Sequence, residues 1–417
     1  MPTTHVIGAG LAGLSAATEL ASRPGDVAIY ESGPAAGGRC RSYFDRGLGC
    51  RVDNGNHLLL SGNMAAMAFL DRIGARTTLA GPGLARFPFL DIADGTRWTL
   101  APSVGRLPWW LFSSTRRVPG TRPWHYLGLG ALQRARAEAT VLEVLGHLGR
   151  LYTHMLEPIA IAALNTRPAV ALASLLAVIV RETLGRGGAA CIPTFPRDGL
   201  SESFVDPALA FMRARGARVS FGRRVIAFDV QAERVTALHL LDESIPLGAD
   251  DRVVLAVPCW IAQDLLPHLT VPDAFEAIVN VHFRSKELAH DSWAAARFVG
   301  LVGGTAEWIF AKPGVLSVTI SAANHLVDRP ADELAERTWG DVRRALGRNV
   351  PMPPLRVVKE KRATFACTAA QEKRRPGTRT PLHNLVLAGD WTATGLPATI
   401  EGAIRSGVAA ANALQLA

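Results

Sequence analysis

Lysine is nearly missing from this 417-residue chain: five of its 45 basic side chains are lysine and the rest are arginine. Against 36 acidic residues the formal net charge is +9 and the pI about 9.8. Such a balance suits an anionic surface or a phosphate-bearing ligand. No basic run is long enough for a nucleic-acid tail. Pairs such as Arg116-Arg117 and Arg223-Arg224 read first as solvated surface and second as membrane surface, and no nucleic-acid partner is expected. Cysteine is sparse too. Cys40, Cys50, Cys191, Cys259 and Cys367 form no C-x-x-C pair, and a chain of this size needs no disulfide staples, so reduced thiols in a cytoplasmic protein are expected. No charged segment followed by an apolar core opens the chain, so no secretory signal is expected. The longest apolar run, Ala169 to Val180, is shorter than the roughly 20 residues that cross a bilayer. The expected location is the cytoplasm, with peripheral contact to the inner face of the cell membrane as its extension. Also missing are internal repeats, a Ser/His/Asp triad and any cluster with metal-ligand spacing, so no metal is expected. What is there is globular: 48% hydrophobic and 19% charged, with length for two or three domains' worth of core.

The first 31 residues hold a strand, a glycine turn, a helix and a second strand. Gly8, Gly10 and Gly13 make G-x-G-x-x-G, with Ala9, Leu11 and Ala12 between them. Gly8 allows a sharp turn off the strand, Gly10 lets a pyrophosphate approach the backbone, and Gly13 lets helix and strand pack closely. The helix N-terminus offers unpaired N–H groups to phosphates. Glu31, followed by Ser32, ends the second strand, where a carboxylate accepts ribose hydroxyls. Gly37-Gly38-Arg39 then follows. A simple nicotinamide-binding unit has no reason for this second glycine doublet; a flavin enzyme has one, because the backbone runs on along the diphosphate and Arg39 supplies a guanidinium. FAD is the expected cofactor, and the paired motifs resemble the flavin amine oxidase and phytoene desaturase superfamily. No second G-x-G-x-x-G offers a nicotinamide site, so an external electron donor is expected.

Farther on, "RVDNGNHLLLSG" places Asn54, Gly55, Asn56 and His57 before an apolar run. Within the superfamily this segment passes the flavin ring. The reading of His57 stays open between flavin contact, proton donation and a plain turn. Trp109 to Phe112 is an aromatic-apolar cluster beside Arg116-Arg117, read as cap core or as a lipid-facing patch. Long helical patterns are expected from about 130 to 184. An α/β pattern returns at 197–230, where Val225 opens a strand; the resemblance places its backbone against the adenine. "LVLAGDW" ends a strand in Gly389-Asp390, and a helix opens at about Pro397, Ala398 and Thr399. Asp390 can accept a ribityl hydroxyl, and the N–H groups of that helix start can face the N1–C2=O edge of the flavin.

The expected fold is therefore α/β in two domains. A Rossmann-like FAD domain is discontinuous over 1–70, 197–265 and 381–417. A mixed substrate domain with a helical cap covers 71–196 and 266–380. Three stretches, "VDNGNHLLL", "RATFACTAAQEKRRP" and "LAGDWTATGLPATIEGAIRSG", together resemble the squalene-associated FAD-dependent desaturases, the hydroxysqualene dehydroxylases of hopanoid biosynthesis. "FPRDGLSESFVDPAL" fits the same pattern, and the resemblance covers essentially the whole chain. Departures are Asn56 where the family more often has Gln, Ala369-Ala370 where it has Pro-Glu, and Ala393 where it has Asp, so no role can rest on a carboxylate at 370 or 393. The resemblance implies that reduced FAD delivers hydride to an allylic carbon of a C30 isoprenoid while its hydroxyl leaves as water. For the proton donor, His57 ranks first and Glu401 second, with Asp53 also near the expected flavin segments. The alternatives are a carotenoid-type desaturase or amine oxidase on the same scaffold, and a prenyl-binding carrier without catalysis.

Overall fold

The structure, a computed structural model, describes residues 1–288 and 296–415. Five parallel strands form one sheet in the order Arg218–Phe221, Asp26–Glu31, Thr3–Ile7, Arg252–Leu255, Leu385–Leu387. Parallel sheets are covered on both faces, and Val6, Ile29, Val253, Val254, Leu255 and Leu387 are all buried. Helices Leu11–Leu20 and Ile400–Ala413 pack against each other. A Cβ on Gly407 would stand 2.3 Å from the Ala12 carbonyl oxygen, and Ser15 Oγ donates to the Ile404 carbonyl at 2.9 Å. The two ends of the chain are thus one packed layer.

A second sheet has seven strands in the order Leu355–Phe365, Phe275–Arg284, Val315–Ile320, Trp308–Lys312, Phe298–Val302, Phe87–Asp91, Arg97–Leu100. Side chains alternate between its faces. One face, with Val279, Val281, Phe283, Ile309, Leu316 and Val318, packs with helix Ala331–Leu346 through Leu334, Trp339 and Val342. Register puts Asn280, His282, Ser317 and Thr319 on the opposite face, followed across the sheet by Trp308, Phe310, Phe298, Phe89 and Trp98. That face is polar at one side and aromatic at the other.

The cap departs from the long helices expected between 130 and 184. It holds helices Val141–Leu145, Glu157–Leu164 and Ala173–Glu182, with a π-helical turn at Tyr152–Leu156. Gly149 at φ 54° and Asn165 at φ 46° interrupt the path, because a left-handed residue ends a helix. The Trp109–Phe112 cluster is a short 3-10 turn that divides its side chains. Trp110 and Leu111 are buried, whereas Trp109 is 67% and Phe112 71% exposed. No described helix is long and apolar enough to cross a membrane.

Candidate functional site

The glycine turn sits between the first strand and its helix. Gly8 has φ 101°, and a Cβ on Gly13 would stand 1.9 Å from the Gly8 carbonyl oxygen. Only a bare Cα fits either place. A Cβ on Gly10, by contrast, would meet nothing within 4 Å, so the turn is open on that side. Helix 11–20 has no side-chain cap and no acidic residue in its first turn. Its N–H groups and positive end are therefore available to phosphate. Gly37 closes the turn: its N–H donates to the Ala9 carbonyl at 2.8 Å, and Gly38 approaches Gly10. Glu31 accepts from the Ala9 N–H at 2.9 Å and the Gly33 N–H at 2.7 Å, with exposed Ser32 beside it at 3.3 Å. The Arg223 N–H donates to the Glu31 carbonyl at 2.8 Å, which brings Val225, buried at the start of its strand, to the same end of the sheet.

The second part comes from the other end of the chain. A Cβ on Gly389 would stand 2.2 Å from Trp391 Nε1, and that indole donates to the Val257 carbonyl at 3.0 Å. Asp390 is buried and receives Arg39 through two bonds of 2.7 and 2.6 Å. Arg39, expected at phosphate, and Asp390, expected at a ribityl hydroxyl, therefore hold each other, while the Arg39 side chain remains 44% exposed. Thr399 caps helix 400–413 by accepting from the Gly402 N–H at 3.0 Å. Pro397 has no N–H to give, so the donors expected of 397–399 reduce to Ala398 and Thr399.

What holds this turn is Arg375, a residue the sequence reading passed over. Its side chain is fully buried and pairs with Glu372 at 2.8 Å. It donates to the Asp390 carbonyl at 3.3 Å, the Thr392 carbonyl and Thr394 Oγ1 at 3.0 Å, and lies 4.8 Å over the Phe365 ring.

The segment 53–57 lies between the two sheets. Asp53 is pushed up by burial, but Lys312 at 2.5 Å outweighs this, helped by Ser42 and the Leu200 N–H, so its carboxyl lies below the usual range. It is an ionised anchor to the second sheet. His57 is half-buried. Burial lowers its pKa to about 4, Asp53 opposes this, and Lys312 and Arg39 add to it. The imidazole is neutral at neutral pH: a hydrogen-bonding group, with no spare proton. Glu401, weighed as an acid, faces elsewhere. Its two oxygens accept from the Ala65 and Ala66 N–H groups at 3.0 and 2.8 Å, and Arg405 stands 3.0 Å away. Every partner is a donor, so the carboxylate anchors the N-terminus of helix Met64–Arg72.

A buried polar ladder completes the site, and none of its sheet residues was foreseen. Asn56 Nδ2 lies 2.7 Å from Ser317 Oγ and 2.9 Å from Thr319 Oγ1. Ser317 Oγ contacts His282 Nδ1 at 2.7 Å, and Thr319 donates to Asn280 Oδ1 at 2.9 Å. Asn54 joins through its carbonyl, 3.4 Å from Asn280 Nδ2, and Gly55 packs over the same amide. Burial, with Lys312 next, lowers His282 to about 4, so it is neutral as well. The signal was an N-x-H and an S-x-T alternation inside strands, which the same sequence would show in a strand facing water. Among the described residues no group of His, Cys, Asp and Glu is placed to hold a metal.

Comparison with known proteins extends these findings. A family model described as flavin containing amine oxidoreductase matches residues 11–415. A hydroxysqualene dehydroxylase of Zymomonas mobilis is 44% identical over 99% of this chain and 99% of its own. Another of that name, from Rhodopseudomonas palustris, is 47% identical over 98% of this chain and 97% of its own. Among solved structures, an oxidoreductase from Methanosarcina mazei superposes with a TM-score of 0.72 at 14% identity, over 98% of this chain and 99% of that one. At that identity the likeness is one of fold.

Proposed function

This chain belongs to the flavin-containing amine oxidoreductases and, within them, to the hydroxysqualene dehydroxylase family, and from that premise we propose that it reductively removes the hydroxyl of hydroxysqualene to give squalene. The observation that carries the proposal is identity of 44–47% along nearly the whole chain. The site supports it: a flavin-type glycine turn opens beside a sheet face that is polar at one side and aromatic at the other.

FAD is the cofactor, and in its reduced form it supplies the hydride. The residues present fit it, because the open face of Gly10 and an uncapped helix end suit a diphosphate. We assign the diphosphate to the turn from Gly8 to Gly13 with Gly37, Gly38 and Arg39. The adenosine ribose goes to Glu31 and Ser32, the adenine to the backbone at Val225, and the ribityl chain to Asp390. The ring goes to the backbone of the segment Asn54 to His57, with the Ala398 and Thr399 N–H groups. An allylic hydroxyl leaves as water once it takes up one proton, which fully reduced flavin would supply together with the hydride, so the chain must orient the hydroxyl and exclude bulk water. His57, neutral but still carrying one N–H, is assigned to hydrogen-bond the hydroxyl oxygen without giving up its proton. The buried aromatic side of the face shields the isoprenoid chain.

The electron donor is assigned to a separate protein or a transient nicotinamide. A C30 hydrocarbon resides in membranes, and exposed Leu107, Trp109, Phe112 and Trp124 lie among Arg106, Arg116, Arg117 and Arg122. We assign that surface to an anionic bilayer. The test of function is product formation. Reduced holoenzyme incubated anaerobically with hydroxysqualene should yield extractable squalene, and oxidised holoenzyme should leave phytoene unchanged. Desaturation of phytoene without squalene formation would replace the proposal with the carotenoid reading.

A further inference from the structure

Among the described residues the polar ladder leaves two buried atoms unpartnered, His282 Nε2 and Asn56 Oδ1, and the second is an acceptor aimed by the ladder's own geometry. Thr319 has a single hydroxyl hydrogen, and it goes to Asn280 Oδ1 at 2.9 Å. Asn280 is itself oriented, its Nδ2 facing the Asn54 carbonyl at 3.4 Å. Toward residue 56, Thr319 can therefore only accept. The carboxamide of Asn56 must turn its NH2 to the ladder, and the two hydroxyls, at 2.7 and 2.9 Å, take both hydrogens. Its carbonyl oxygen is consequently fixed on the other side. That oxygen, Oδ1, is buried and has no partner among the described residues. A buried acceptor left unpaired is costly, and proteins keep few of them.

An unpaired donor stands close by in register. Trp308 is the cross-strand neighbour of Thr319 on the same face, is 7% exposed, and its Nε1–H also lacks a partner. One unpaired acceptor and one unpaired donor at the junction of the polar and aromatic sides are the complement of an alcohol, which both donates and accepts.

We propose that Asn56 Oδ1 is the acceptor that recognises the hydroxyl of the isoprenoid substrate, with Trp308 Nε1–H as the facing donor, and that Ser317 and Thr319 are positioning residues that fix the amide. The inference rests on the dehydroxylase reading. It gives the site a way to prefer the alcohol over its own deoxygenated product, since a polar pair matched to a hydroxyl is left unpaired by a hydrocarbon.

The test is binding to oxidised holoenzyme, which cannot turn over, with hydroxysqualene and squalene compared in the same mixed micelles. FAD affinity and thermal unfolding are measured on the same samples. Wild type should bind the alcohol more tightly. Asn56→Leu should lower that preference about tenfold with FAD retained, Asn56→Gln should restore most of it, and Ser317→Ala/Thr319→Val should lower it in part. If wild type does not bind hydroxysqualene, the functional reading fails. If wild type discriminates and Asn56→Leu discriminates equally, the inference fails and the reading stands. Loss of FAD affinity in Asn56→Leu with the preference intact would assign the carbonyl to the flavin and overturn the inference. Should Asn56→Leu not fold, Trp308→Phe carries the same expectation through the donor, and an unchanged preference there would overturn it.

Discussion

Single side chains set the electrostatics of the fold, and two of them give sharp expectations. Glu307 accepts from the Ser321 N–H at 2.7 Å, and burial pushes its carboxyl up to about 7 from an ordinary 4.5. A raised folded pKa means that the protonated form is favoured in the native state. The corresponding stability is full below about 4.5 and is lost as pH rises through about 7. Glu307→Gln should therefore differ little from wild type at pH 5 and be more stable at pH 8, by on the order of 2 kcal/mol. Thermal unfolding at both pH values measures this; a pH-independent difference contradicts it. Asp53 and Lys312 form a pair whose side chains are 3% and 16% exposed. Lys312→Met leaves a buried carboxylate with its Ser42 and Leu200 donors but no cation, and should cost about 3–5 kcal/mol. Asp53→Asn/Lys312→Met should recover a large part of that loss, and a strictly additive double-mutant cycle would show that the two groups do not interact.

Between elements, one buried guanidinium holds the 389–394 turn. Arg375 links Glu372 to three acceptors of that turn. Arg375→Met strips those carbonyls of their donor, and it should cost about 3 kcal/mol and weaken FAD retention on gel filtration. Unchanged flavin content would remove the turn from the cofactor site. The exposed turn at 109–112 gives a separate expectation. Trp109→Ala/Phe112→Ala should reduce co-flotation with anionic liposomes and leave thermal stability nearly unchanged, because both rings are already outside. Equal flotation would sink the membrane assignment.

These elements also show what was legible beforehand. The glycine turn from Gly8 to Gly13 is local: its strand, bare Cα positions and helix follow one another within a few residues, so sequence reveals it. The Arg39–Asp390 pair joins residues 351 apart, and each was given a separate partner because nothing in either neighbourhood names the other. Glu401 stood in the first turn of a helix, where a carboxylate is common, but its partners at Ala65 and Ala66 belong to a different helix. Only packing reveals that docking. The cap helices were overestimated because apolar spacing outweighed the breaks at Gly149 and Asn165.

At the scale of the whole molecule, the expected flavin site is made from both chain ends, and the second sheet closes on it through Asp53–Lys312 and the Asn56 ladder. The proposed removal of an allylic hydroxyl would use a reductant held by backbone and helix ends, an aromatic enclosure that keeps water out, and a few oriented polar groups at the departing hydroxyl. On the proposed reaction, the hydrogen replacing that hydroxyl arrives as hydride from the reduced flavin. The direct measurement is an anaerobic single turnover in D2O, where the flavin N5 position carries deuterium, with flavin absorbance followed and squalene analysed by mass spectrometry. Hydride transfer should give stoichiometric flavin reoxidation and squalene carrying one deuterium. Flavin that stays reduced in the presence of hydroxysqualene, or squalene formed without deuterium, would contradict it.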